Sequence, residues 1–120
     1  MSANDALRTL LDALLDVHRK AYDLREHETA YHALAAAAHA ADSLADEDAL
    51  ERIARLSRDE LAWIDAHTPE HRLSTESAKK RNHQSIFEQL GMTAMGMRQR
   101  LQAERVRQEL QRRVDELTAG

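Results

Sequence analysis

The sequence predicts an all-α protein, and three observations lead to that prediction. Alanine and leucine make up 37 of the 120 residues, and both favour helices strongly. Only three glycines and one proline are present to interrupt a helix. Apolar residues recur every three or four positions, the spacing of one helix face. The expected fold is an antiparallel four-helix bundle with a long C-terminal helix, which either continues or kinks near Gly91 or Gly96.

A chain of this length forms a single domain, here residues 1–120. We expect a bundle core over residues 1–97 and a projecting helical extension over residues 98–120. The absence of cysteine excludes disulfides and thiolate metal sites. No apolar run approaches the ~20 residues of a membrane span, and the N-terminal segment does not resemble a signal peptide. A cytoplasmic location with no membrane contact is therefore expected.

The net charge of −4 conceals an asymmetry between the two parts of the chain. Residues 1–73 carry 8 basic and 15 acidic side chains, whereas residues 74–120 carry 9 basic and 6 acidic ones. Parts of opposite sign can attract each other within a chain or between chains. The negative total disfavours general affinity for nucleic acids.

The first helix is expected to begin after a cap at Ser2 or Asn4, with Asp5 in its first turn. The segment Arg25-Glu26-His27 is expected to form the turn that follows. The predicted buried face has a spacing of three and four and is widened by Leu11 and Leu15; it consists of Leu7, Leu10, Leu14, Val17, Ala21 and Leu24.

The second helix, about Glu28 to Ser43, is rich in alanine, and its few polar residues fall within an arc of ~100°. This pattern predicts a central helix. The third helix should open at Asp46-Glu47-Asp48 and end near His67, because Pro69 follows. Combining the apolar faces, we expect a common core of Leu14, Val17, Leu34, Ile53, Leu61, Ile64, Phe87 and Leu90.

The fourth helix should start at Ser74 or Thr75 and continue for ~45 residues, about twice the length of its partners. Its apolar stripe changes side partway, since the distal residues are rotated by nearly 180° from the proximal ones at ~100° per residue. A helix that packed only on its own bundle would keep one stripe. The alternative is a break at Gly91 or Gly96, after which the distal segment folds back on a monomer as a fifth helix. We expect instead a homodimer whose interface contains Met92, Met95, Ala103, Val106, Leu110, Val114 and Leu117.

Seven histidines raise the alternative of a metal-binding bundle with a redox or sensing role. The candidate ligands are Glu28, His32, His39, His67 and His71. Against this alternative, the chain has no Glu-x-x-His motif of di-iron bundles. A closed zinc site also needs four convergent ligands, which these spacings do not provide. We expect no bound cofactor.

The sequence contains no nucleophile motif and no phosphate-binding glycine loop, so we expect no enzyme activity. Glu60 is the carboxylate nearest to an apolar face, and we interpret it as a rim residue beside Trp63. A further alternative is a nucleic-acid accessory protein that uses the arginines between Arg98 and Arg113. These arginines form i,i+4 pairs with acids and lack neighbouring aromatic residues, which favours a solvated face. The preferred function is protein–protein interaction or scaffolding, with a partner that the sequence does not identify.

Overall fold

The computed structural model describes residues 2–119, and that part of the chain is all-helical, as predicted. The outermost residues of the predicted domain, Met1 and Gly120, lie outside the described residues. Five helices are present in this range, where four were expected. They are α1 (Ala3–Asp23), α2 (His27–Ser43), α3 (Glu47–His67), α4 (Thr75–Lys80) and α5 (Ile86–Ala119).

Side-chain caps define the starts of the first and third helices. The Ser2 hydroxyl accepts a hydrogen bond from the Asp5 N–H at 3.1 Å, and the Asp5 carboxylate accepts one from the Ser2 N–H. Asp46 caps α3 by accepting from the Ala49 N–H at 2.9 Å. Both caps satisfy amide groups that have no partner within the helix. Of the two expected caps of α1, Ser2 and Asn4, the structure uses Ser2. The predicted acidic opening of α3 is confirmed.

The turns after α1 and α2 share one geometry and use no glycine. Arg25 and Ala45 have φ values of 62° and 54°, in the left-handed region. The Glu26 N–H donates to the Ala21 carbonyl after α1, and the Asp46 N–H donates to the Ala41 carbonyl after α2. This is the Schellman arrangement that closes a helix and reverses the chain. Each of these two turns therefore reverses the chain, and α2 packs against both α1 and α3.

The alanine-rich helix α2 lies at the centre, between α1 on one side and α3 on the other. Helix α5 packs mainly on α3 and less on α2. It runs antiparallel to α3, because Ser57 contacts Phe87 near the start of α5 whereas Glu47 contacts Arg105 much later. The prediction of a central second helix is confirmed.

The core consists of two clusters of buried side chains. Of the eight residues expected to pack together, four are fully buried and Leu90 is 6% exposed. The larger cluster contains Leu34, Ile53 and Leu90, and the smaller one contains Ile64 and Phe87. Leu14 and Leu61 are half-buried beside these clusters. The eighth residue, Val17, was predicted wrongly, since 45% of it is exposed.

The error at Val17 extends along α1. Leu11 and Ala21 are buried, whereas Leu10, Val17 and Leu24 of the predicted face are 50%, 45% and 74% exposed. The rest of the predicted face does pack on the core: Leu7 and Leu14 are half-buried against it, as is Leu15, which widens the face. The buried arc is therefore shifted toward Leu11 and the buried His18, so that only one edge of the predicted face is exposed.

The predicted fourth helix is divided, which corrects the expected length of ~45 residues. Helix α4 ends at Lys80, and Asn82 adopts the left-handed φ of 58°. The His83 N–H donates to the Ala78 carbonyl and closes the turn. The Ser85 hydroxyl then accepts from the Phe87 N–H at 3.3 Å at the start of α5. Asparagine tolerates this backbone conformation better than most residues, and serine is a favoured cap.

From Ile86 onward α5 is continuous for 34 residues and passes through both glycines without a break. A Cβ atom at Gly91 would meet only ordinary contacts with α3, and Gly96 faces open space. At 1.5 Å per residue α5 is about 51 Å long. Within residues 2–119, no helix combines the length and apolar character that crossing a membrane requires.

Candidate functional site

The distal part of α5 extends beyond the helices against which its proximal part packs. The last ion pair from α5 to another helix joins Arg105 Nε to Glu47 Oε2 at 3.0 Å. The following segment, residues 106–119, is about 21 Å long at 1.5 Å per residue, and nearly all of it is exposed. The exposed segment starts at residue 106, and the projecting extension over residues 98–120 stays a prediction.

Two opposite faces of α5 have different surroundings. Phe87, Leu90 and Ala94 on the inner face are buried against the other helices. Four large apolar residues of the distal segment share the other face and remain exposed. Their exposed fractions are 51% for Val106, 56% for Leu110, 52% for Val114 and 83% for Leu117.

The remaining residues of the predicted interface extend this outer face toward the body. Met92 is 61% exposed and Ala103 is exposed, whereas Met95 is half-buried. Met92 and Met95 border an apolar groove between α3 and α5, which Leu61 and Ala62 line from α3. The groove has a volume of about 540 Å³. The outer face and this groove form one continuous surface.

Each arginine of the basic segment forms an ion pair with an acid. Within α5, Arg113 pairs with Glu109 and Arg112 pairs with Glu116, as predicted, and Arg112 also pairs with Glu109. Arg100 and Arg105 were wrongly predicted to pair along the helix. They contact Asp42 at 3.1 Å and Glu47 at 3.0 Å instead. The remaining pairs are Arg98 with Glu51 and Arg107 with Glu104.

A second group of polar residues lies in the interior, where α1, α2 and α3 meet. Glu60 of α3 is 1% exposed, and His18 and His27 are each 3% exposed. The Glu60 Oε1 atom lies 2.9 Å from His18 Nε2, and its Oε2 atom lies 2.7 Å from His27 Nδ1. As a carboxylate, Glu60 can only accept, so both imidazoles donate through these nitrogens.

Aromatic rings pack against both histidines of this cluster. Tyr22 lies one turn after His18, with the two ring planes nearly parallel at 6.2 Å. Trp63 lies 5.4 Å from the His27 ring. The Arg25 guanidinium sits 4.0 Å above Trp63 and 5.0 Å above Tyr22, within cation–π range. The three acid–base groups are buried, and their hydrogen bonds connect three helices.

The sequence interpretation of Glu60 as a rim carboxylate was wrong, and it missed both histidine partners. His18 and His27 are separated from Glu60 by 42 and 33 residues, and nothing in their local spacing marks them as buried. The only available signal was that Glu60 falls on the apolar side of α3, where a buried carboxylate needs a partner.

The five candidate metal ligands are not brought together. Glu28 pairs with Arg72, and His32 and His39 are exposed on α2. His67 stacks on Trp63 with ring centroids 4.4 Å apart. His71 accepts a hydrogen bond from the Leu73 N–H at 3.0 Å through Nδ1. In the described part of the chain, no three histidine or acidic side chains are arranged to hold a metal ion.

Comparison with known proteins identifies no relative. No protein-family model, curated protein or solved structure matches the chain. Its function is therefore inferred from its own surface and interior.

His71 should titrate below the ordinary histidine pKa of about 6.5. Burial lowers the pKa of His71, and the proximity of His27 and Arg72 lowers it further. The unfolded chain then binds this proton more readily, so stability is lost as the pH falls from about 6.5 toward the lowered pKa. An NMR titration of the His71 ring measures the shift.

The variant His71→Asn tests the link to stability, since asparagine can still accept from the Leu73 N–H. It should lose less stability than the parent between about pH 7 and pH 5 in urea titrations. Equal losses in the two proteins would contradict the assignment.

Proposed function

We propose that this chain is a scaffolding module that self-associates as a homodimer through the outer face of α5. In this proposal α1, α2, α3 and the first part of α5 form an antiparallel four-helix body, and the distal segment joins two bodies. The observation that carries the proposal is the row of exposed Val106, Leu110, Val114 and Leu117. Each apolar side chain left in water forgoes roughly 1.5–3 kcal/mol of burial.

The charges of the distal segment favour a second copy of the chain as its occupant. Residues 106–119 contain three arginines and three acidic residues, so two copies do not repel each other. The arginines already have acidic partners, as described above, which leaves no basic patch for a nucleic acid. Such balanced charges beside an apolar stripe are typical of helices that pair with helices.

Sedimentation equilibrium tests the proposal. The full chain should have a dimer mass at micromolar concentration. The double variant Leu110→Glu with Val114→Glu places charges in the interface, so it should raise the dissociation constant by at least about a hundredfold, equivalent to ~2.7 kcal/mol.

A matched control makes the same charge change outside the apolar stripe of α5. Gln108→Glu with Gln111→Glu should leave the dimer mass unchanged. A monomer mass for the parent chain would overturn the proposal. So would a dimer that the Leu110→Glu and Val114→Glu variant does not weaken.

A further inference from the structure

The separations between successive residues on the outer face of α5 form the same series whether counted from the N-terminal or the C-terminal end. At ~100° per residue these residues fall within an arc of ~100°. Their successive separations are three, four, four, three, four, four and three residues. They are Met92, Met95, Gln99, Ala103, Val106, Leu110, Val114 and Leu117.

A palindromic spacing is self-complementary when two helices pair in opposite directions. A two-fold axis between Ala103 and Val106 would place Met92 against the partner subunit's Leu117. The same axis matches the partner subunit's Val114 to Met95, so every outer-face residue meets another one. Near the axis the small side chain of Ala103 allows close approach of the two helices.

The groove between α3 and α5 lies where this arrangement needs it. Leu61, Ala62, Met92 and Met95 line the groove, whose volume is about 540 Å³. Antiparallel pairing brings the end of the partner's distal segment onto it. Parallel pairing would leave the groove without a helix.

We propose that two copies of the chain pair antiparallel through α5, with the distal segment of each lying on the other's groove. This proposal rests on the self-association proposed above and adds its direction and register. Arg100 and Arg107 border the paired faces, and Asp42 and Glu104 neutralise them within the same chain. Each distal segment then packs against the body of the other copy.

The cysteine-free chain allows a direct test by disulfide formation. Met92→Cys and Leu117→Cys are made in separate chains, one of which carries a tag that changes its mass. Mixed and oxidised, they should yield mainly the mixed disulfide, because the two positions face each other. Leu117→Cys alone should not cross-link, since its two copies would lie about 38 Å apart along the helices at 1.5 Å per residue.

Two further variants give a high and a low reference for the yield of the mixed disulfide. Val106→Cys lies beside the axis, with an offset of about 5 Å between copies, and should cross-link to itself. Gln108→Cys lies on the opposite face and should give only background.

The outcomes separate this proposal from the one on which it rests. A chain of dimer mass that forms Leu117→Cys homodisulfides would pair in parallel, which overturns the register and leaves the self-association intact. A dimer whose mixed disulfide does not exceed the Gln108→Cys background would also overturn the register. A monomeric parent chain would overturn both proposals.

Discussion

Replacing Glu60 with leucine should lower the free energy of unfolding by about 3–5 kcal/mol. The side chain is 1% exposed and accepts from two imidazoles that are themselves buried. Its removal leaves the donors of His18 and His27 without an acceptor in the interior. Urea denaturation should show the loss as a lower midpoint with an unchanged slope.

Two other variants distinguish a stability loss caused by broken hydrogen bonds from one caused by altered packing. The triple variant with leucine at positions 18, 27 and 60 removes all three polar groups at similar volume, so it should recover most of the lost stability. Asp59→Leu changes the neighbouring exposed residue and should alter stability by no more than about 0.5 kcal/mol. A triple variant as unstable as Glu60→Leu would show that the loss comes from packing alone.

The helix ends were predictable where their chemistry is local. Ser2 and Asp46 cap the first and third helices, and the third helix ends at His67 before Pro69. The break at residues 81–85 also had local signals, an asparagine in the left-handed conformation and a capping serine. The expected helix of ~45 residues passes over these signals, because neither residue excludes a helical conformation as proline does.

The outer face of α5 could be identified from the sequence because it depends on a single continuous helix. Two stripes rotated by half a turn, such as Leu90 and Leu110, cannot both face one body. The His18, His27 and Glu60 cluster depends instead on how three helices are brought together. Periodicity assigns polar residues to the outside, and only the tertiary structure shows where a polar network replaces an apolar contact.

The same failure of periodicity leads to a sharp expectation for α1, in which adjacent leucines differ in environment. Leu11 is 1% exposed and packs in the larger core cluster, whereas Leu10 is 50% exposed. Leu11→Ala should therefore cost about 2–5 kcal/mol, which combines lost burial with the cavity left behind. Leu10→Ala removes the same atoms from the same helix, so the change in helix propensity is the same in both variants. Its cost in the free energy of unfolding should stay at about 0.5 kcal/mol.

Urea denaturation measures the free energy of unfolding of both variants at one protein concentration, so that dimer formation contributes equally to the two values. If Leu10→Ala proved the more costly change, α1 would present the face that apolar periodicity predicts, with Leu10 and Val17 inside. That orientation would turn His18 away from Glu60 and remove the acceptor contact that joins α1 to α3. The stability difference between two neighbouring leucines therefore also tests the buried cluster, without altering any of its residues.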